Sequence, residues 1–165
     1  MKIDHTNYVA GDVEIKPNMT IGKFNSIAVG VFFHCDSKHP CVDNPKIVTS
    51  QSFNNAFIWK AFPRQSNQEK IIIENDVWIA REVKILEGVT IGNGAIIGAY
   101  SVVTIDVPPF AFVAGNPARL IRYRFSEDII DKLQKIKWWD WGMSTVRKRL
   151  NDFLDIDKFV EKYGE

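Results

Sequence analysis

Stepping through the chain six residues at a time from Val9 lands on Ile15, Ile21, Ile27 and Phe33. After a gap the same step lands on Ile73, Ile79, Ile85, Ile91, Ile97 and Val103. All of these are Ile, Val or Phe, a run too regular for coincidence. Neighbouring columns agree. The residue after the apolar position is often small (Ala10, Gly22, Ala28, Ala80, Gly92, Gly98). Four places after it stands mostly a small or β-branched residue: Val13, Val31, Val77, Val83, Val89, Ala95, Ser101, Val107. A period of six matches neither the 3.6 of a helix nor the alternation of a hairpin meander. It suits short strands joined by tight corners, with aliphatic side chains stacked in rows inside a narrow prism. Three hexapeptides make one triangular turn of about 18 residues, which predicts an all-β solenoid of about four coils. At ~4.8 Å per strand it is about 19 Å tall. So short a stack has much exposed side wall for its core, which favours oligomerisation.

Two stretches lie outside the repeat. The loop at about 36–70 holds Phe53, Phe57, Trp59 and Phe62, too aromatic for a flexible linker, and is expected to fold over a surface. Pro108 and Pro109 are expected to stop the repeat. Ser126, followed by Glu127 and Asp128, is positioned to cap a helix whose apolar face is Ile129, Ile130, Leu133 and Ile136. Ser144 is expected to cap a second short helix with Val146, Leu150 and Phe153 inward, and the helices to close the solenoid's end. The predicted organisation is therefore a β-solenoid domain at 1–125 with the inserted loop, and a helical extension at 126–165.

Composition narrows the function classes. The chain has 165 residues, one domain's worth, with Lys+Arg 21 against Asp+Glu 20 and a net charge of +1. That balance argues against a protein built to neutralise nucleic-acid phosphate. Apolar runs are too short for a membrane span, and the N-terminus carries no apolar signal core. Two cysteines, Cys35 and Cys41, make neither a disulfide scaffold nor a zinc finger, and the expected location is cytoplasmic. Gly92-Asn93-Gly94 with Gly98 has the wrong spacing for a dinucleotide loop and reads as corners of the repeat. Trp138, Trp139 and Trp141 read as core or interface.

Several ordered stretches carry a family resemblance. They are Ile21-Gly22-Lys23-Phe24-Asn25-Ser26-Ile27-Ala28, Lys38-His39-Pro40 and Asn75-Asp76-Val77-Trp78-Ile79-Ala80. Further on come Gly98-Ala99-Tyr100-Ser101-Val102-Val103, Ala114-Gly115-Asn116-Pro117-Ala118-Arg119 and Lys137-Trp138-Trp139-Asp140-Trp141. From about residue 9 to 142 the chain resembles the left-handed parallel β-helix, hexapeptide-repeat acyltransferases. Within them it is similar to the xenobiotic acetyltransferase subgroup, which includes chloramphenicol and streptogramin acetyltransferases. The resemblance implies a homotrimer with active sites between subunits, each moving acetyl from acetyl-CoA to an acceptor hydroxyl. No metal, nucleic acid or membrane insertion is implied.

An activated thioester needs a base for the acceptor's proton, donors for the oxyanion and a slot for the donor. By position alone His39 is an exposed loop histidine; the resemblance makes it the general base. Asp43 or a backbone carbonyl could orient it, and Lys38 stands where related sequences often have Asn. The resemblance points to a backbone N–H at Ala80 or Arg81 for the oxyanion. It points to main-chain groups around Ala99, with Thr104 further out, for the pantetheine arm. Asn116 and Pro117 belong to the turn that Arg119 follows. Arg119 and Arg122, with Arg124 behind them, suit the phosphates of coenzyme A. Trp78 either lines the acceptor cleft or fills a subunit interface, and Trp59 is a candidate acceptor platform.

The expected reaction is O-acetylation of a sugar or polysaccharide. Antibiotic acetyltransferases of the subgroup tend to carry a longer segment ahead of the coils, whereas here the repeat begins by Val9. The alternatives are O-acetylation of an antibiotic and N-acetylation of a nucleotide-linked amino sugar. A remote one is a zinc lyase like the gamma-class carbonic anhydrases, using His34, His39 and His5. Another is a non-catalytic trimeric scaffold.

Overall fold

The structure, a computed structural model, describes residues 3–11, 13–34 and 69–164. His39, Trp59, Lys38 and Asp43 lie outside the described residues, as do both cysteines. The repeat appears as short strands: β1 (Tyr8–Val9), β2 (Met19–Ile21), β3 (Ser26–Ile27), β4 (Phe32–Phe33) and β5 (Ile71–Ile73). They continue with β6 (Trp78–Ile79), β7 (Lys84–Ile85), β8 (Thr90–Ile91), β9 (Ile96–Ile97) and β10 (Val102–Val103). Two longer strands follow, β11 (Ala111–Gly115) and β12 (Ala118–Tyr123).

These strands form three sheets, ordered β1-β3-β6-β9-β11-β12, β10-β7-β4 and β2-β5-β8. Consecutive strands enter different sheets: β5, β6 and β7 each join one, and β8, β9 and β10 repeat the circuit. Every pairing is parallel except β11 with β12. The period-six residues line up as inward columns, Ile27–Ile79–Ile97 on one sheet, extended by Val113, and Phe33–Ile85–Val103 on another. Nearly all are buried, because a two-residue strand sends one side chain in and the other out. Ile73 pairs with Ile91, 18 residues on, whereas Ile21 pairs with Ile73, 52 residues on. The insertion therefore leaves the register of the stack intact.

The prolines do not end the stack. Val107 still bridges Ile91, and β11 adds to β9 before the chain reverses into β12. Val113 sits over Ile97 only 16 residues later, so a step of six misses it.

Corners follow a rule the columns of small residues did not reveal. At the corner leading into the six-stranded sheet, Phe24, Asp76, Gly94 and Phe110 all have positive φ, near 60°. Glu82 and Tyr100 do the same at the next corner. Non-glycine residues are thus held in a left-handed conformation costing roughly 1 kcal/mol each, which the stacking must offset. The small column has a different cause, crowding: a Cβ on Gly98 would lie 2.8 Å from that of Ala114. An asparagine ladder ties the first corner. Asn25 N–H donates to Asn7 Oδ1, Asn25 Oδ1 accepts from Val77 N–H, and Asn75 Nδ2 donates to Asn93 Oδ1, at 2.8–2.9 Å.

The C-terminal part comprises α1 (Glu127–Ile136), a 3-10 turn at Trp138–Asp140, α2 (Met143–Lys148), a second 3-10 turn at Leu150–Leu154 and α3 (Ile156–Tyr163). Leu133 of α1 is buried, with Ile129, Ile130 and Ile136 against the same cluster, as expected. Ser126 stands at the N-cap without a side-chain bond. Three expectations are corrected. Gly142 caps α2 and Ser144 lies inside it, while Leu150 is exposed. A third helix exists, capped by Asp155, which accepts from Lys158 N–H at 3.1 Å. The helices run along one edge of the stack instead of closing its end. Phe24, from an early coil, packs on Trp138, and Phe110, from the last, on Phe125. The corner column of positive φ throws these rings outward, and the aromatic residues bury themselves on them.

Candidate active site

The register brings several of the predicted residues to one corner. Ile79, Ile97 and Val113 pair across β6, β9 and β11, so the residues after them form columns. Ala80, Gly98 and Ala114 make the first, and Arg81, Ala99 and Gly115 the second. Arg81, Ala99, Gly115, Asn116 and Pro117 are all exposed. The Asn116–Pro117 bond is cis, and Gly115 has φ 106°, a conformation only glycine adopts without strain.

Main-chain hydrogen bonds show what this corner can offer a ligand. Ala80 N–H is taken by Ile97 O at 3.0 Å, and Gly98 N–H by Val113 O at 2.8 Å. Arg81 N–H has no hydrogen-bond partner among the described residues. Of the two sequence candidates for an oxyanion donor, Arg81 is the one whose N–H is left without a partner among the described residues. Carbonyls at this corner are normally used by the coil above: Val29 O accepts from Glu82 N–H, and Arg81 O from Tyr100 N–H. At Ala99 the pattern breaks. The chain above turns away at Gly115, and the carbonyl of Ala99 accepts no bond among the described residues.

Trp78 is 52% exposed on the outer face of β6. The register puts it in a row with Tyr8, Ser26, Ile96, Phe112 and Arg122 across the whole six-stranded sheet. Three strand spacings, about 14 Å, separate Trp78 from Arg122. The Arg122 guanidinium lies 5.8 Å from the Phe112 ring centre, a cation–π contact, and its Nη1 donates to Tyr123 O at 3.2 Å.

The three arginines, close in sequence, part company in space. Arg119 is exposed beside the Gly115–Pro117 turn, its Nη1 donating to Ala118 O at 2.9 Å. Arg124 faces the helices instead. Its Nη1 donates to Gly94 O at 2.6 Å and to Asp76 Oδ2 at 3.4 Å, and the guanidinium lies 5.6 Å from the Phe110 ring centre and 5.1 Å from that of Phe125. Burial holds the Asp76 carboxyl above its ordinary range, with Arg124 opposing. The loss of water outweighs a single long contact to the guanidinium. Asp76, Arg124 and the aromatic side chains line a cavity of about 390 Å³ at the boundary.

Thr104 does not join this group. It follows β10 at the opposite end from Ala99, and lines a separate cavity of about 490 Å³ with His34, Glu69 and Asp106. Sequence reasoning did not single out Ser101, whose buried hydroxyl donates to Gly98 O at 2.6 Å and accepts from Gly115 N–H at 3.0 Å. Its signal was there: the register sets it over Val83 and Val31, where it is the one hydroxyl.

Known proteins share this pattern. Residues 70–104 match the family described as Bacterial transferase hexapeptide (six repeats). The chain is 38% identical to a probable macrolide acetyltransferase of Lysinibacillus sphaericus, with 99% of this chain and 91% of the relative aligned. It is 53% identical over 70 residues to a chloramphenicol acetyltransferase of Agrobacterium fabrum, covering 42% of this chain and 34% of that one. The chain thus spans about a third of the length of that relative. Of solved structures, the polySia specific acetyltransferase NeuO is similar at 31% identity and TM-score 0.53, over 76% of this chain and 56% of that one. Identity of this order along nearly the whole of two chains, with the repeat and its stacked sheets, settles the relationship. This chain belongs to the hexapeptide-repeat acyltransferases, in the xenobiotic acetyltransferase subgroup.

Proposed function

We propose that the protein is an acetyl-CoA-dependent O-acetyltransferase built on a left-handed β-helix and working as a homotrimer, with a saccharide hydroxyl as acceptor. The observation that carries this reading is the corner itself. Arg81 N–H and the Ala99 carbonyl, both without a partner among the described residues, lie in one exposed column that ends at the Gly115–Pro117 turn. Such a groove suits an extended thioester whose amides need main-chain partners. Arg119 and Arg122 at its upper end suit the coenzyme's phosphates, and small residues at Ala80 and Ala99 let the donor approach the backbone. Arg124 has no part in this, because its guanidinium is committed to Asp76 and Gly94. Residues 1–125 carry the site and 126–165 brace its scaffold.

The chemistry is direct transfer. His39 takes the acceptor's hydroxyl proton as the oxygen bonds the acetyl carbon, and Arg81 N–H stabilises the charge gathering on the carbonyl oxygen. As the carbon–sulfur bond breaks, His39 returns the proton to the departing thiolate. Trp78, on the outer face of β6, offers a flat apolar surface to a sugar ring. A second acceptor reading, an antibiotic hydroxyl, is favoured by the macrolide acetyltransferase relative that spans nearly the whole chain.

The test is thiol release from acetyl-CoA against hexoses, oligosaccharides, nucleotide sugars, chloramphenicol, macrolides and streptogramins. Turnover with one class, falling ~10²–10⁴-fold in His39→Ala, is the expected result. Wild-type protein that neither binds acetyl-CoA nor consumes it with any acceptor would overturn the reading.

A further inference from the structure

Ser101 is 0% exposed and, with Asn25, one of two buried polar side chains among the described residues. Asn25 belongs to the asparagine ladder of the other corner. On its own sheet Ser101 sits one residue before β10 as Val83 and Val31 sit before β7 and β4, and both of those valines are buried in the core. A hydroxyl there breaks the apolar pattern and needs partners for its burial. It has two. One is Gly98 O, in the same corner, and the other is Gly115 N–H, in the turn above.

These two bonds fall where the stack stops repeating. In lower coils the corner is closed by a main-chain bond from the coil above, at Glu82 to Val29 and at Tyr100 to Arg81. Above Ala99 that bond is missing, since Gly115 swings the chain into the reverse strand β12. The Ser101 hydroxyl takes over the joining of the two layers. It does so without using the Ala99 carbonyl.

We infer that Ser101 is a positioning residue for the donor: its hydroxyl holds the Gly115–Asn116–Pro117 turn at a set height over Ala99, keeping that carbonyl open to the cofactor's amide. The inference rests on the proposed function, which assigns this corner to acetyl-CoA. Ser101 touches no reacting atom, so it sets donor affinity and leaves the chemical step alone. Without the hydroxyl, Gly115 N–H loses its partner and the turn is free to settle onto Ala99.

The discriminating substitution is Ser101→Val, which installs the side chain the column carries in other coils. Ser101→Thr keeps the hydroxyl and is the rescue variant. For Ser101→Val the expected result is a KM for acetyl-CoA raised about 5- to 10-fold, the worth of one hydrogen bond. The kcat, the acceptor KM and the melting temperature stay near wild type, and Ser101→Thr stays within about 2-fold on all four. Amide exchange at Gly115, followed by NMR, accelerates in the Val variant and not in the Thr variant. A wild-type donor KM in Ser101→Val overturns the inference alone. So does a loss of kcat and melting temperature in step with KM, because a merely structural serine would behave that way. A wild-type protein that binds no acetyl-CoA overturns the proposed function, and this inference with it.

Discussion

The coil stack and the helical edge bury their apolar surface in two separate clusters of opposite character. Among the described residues the stack's core is aliphatic apart from Phe33, and its side chains stack on others of similar kind one coil away, as Ile79 does between Ile27 and Ile97. The helical cluster is mostly rings: Phe110, Trp139 and Phe159 at its centre, with Trp138, Trp141, Phe153 and Tyr163 around them. Trp138 meets Phe153 edge-on at 4.9 Å, and Trp141 stacks on Phe159 at 5.8 Å. Repetition confines the stack to side chains that fit a fixed 18-residue period, which β-branched residues do. Rings suit the edge because there is no period to obey and irregular gaps must be filled. The corner proposed as the site lies where the regular stack meets the β11–β12 turn, so ladders hold the backbone below it and the reversing chain leaves main-chain groups open above.

Substitutions that hollow out each cluster test whether the two regions are separable. Trp139→Ala, in the helical cluster, is expected to cost about 3–5 kcal/mol. Its unfolding should split into two steps in thermal denaturation, with tryptophan fluorescence lost before the far-ultraviolet β signal. One coincident transition would show instead that coils and helices form a single cooperative unit. Ile79→Ala, at the centre of an inward column, is expected to cost about 2–5 kcal/mol in one step. The strand ladders above and below stop the cavity from collapsing, and acetyl-CoA affinity should fall as well, because Ala80 and Arg81 follow directly. Intact affinity after that loss of stability would mean the corner does not depend on the column beneath it.

Arg124 joins the regions, and its removal gives a smaller effect. Arg124→Met leaves the half-buried Asp76 carboxylate and Gly94 O without their donor, a cost of about 1–3 kcal/mol. Denaturant unfolding should show it, with acetyl-CoA KM unchanged. A raised KM would put Arg124 back among the cofactor ligands.

The smallest and most specific contrast is in pH dependence. Burial raises the Asp76 carboxyl above its ordinary value of 3.8, so the folded chain binds that proton more tightly than the unfolded one. Stability should therefore fall as pH rises from about 3.8 through the raised folded value, and Asp76→Asn should flatten that segment. Asp152, at the helical edge, accepts from Tyr163 Oη at 2.7 Å and Lys162 Nζ at 2.9 Å, which lowers its pKa. Its contribution is present above 3.8 and fades as pH drops through the lower folded value. Asp152→Asn should thus lower stability slightly at neutral pH and not at the acid extreme. Identical pH profiles for the two variants would contradict the opposite environments of these carboxylates.

Period-six spacing was enough to read the columns from Val9 to Val103, because stacking turns a tertiary contact into a sequence interval. It failed at Val113, where two residues are dropped from the turn, and at Pro108 and Pro109, which corner the chain without ending the stack. Ala80, Arg81, Ala99, Asn116 and Arg119 were found through family motifs, and their convergence follows from the register alone. The resemblance placed Thr104 further out along the pantetheine arm and Arg124 behind Arg119 and Arg122. Thr104 lies across β10, and Arg124, five residues after Arg119, points to the other side of a reversing strand. The third helix had a legible cap in Asp155, with Phe159 and Val160 spaced behind it. Its signal was overshadowed by the tryptophans before it.

The chain's own pattern thus determined the parallel stack, its inward residues and the presence of helices after it. These depend on local spacing, repeated until it leaves no second solution. Tertiary structure decided where the helices lie, which arginine is committed, and which main-chain groups are left free at the corner. Those outcomes depend on residues far apart in sequence meeting at one place. A hydrogen bond from one coil to the next removes a donor or acceptor that every residue otherwise carries. Only the folded chain reveals that, among the described residues, no bond is made to the Ala99 carbonyl.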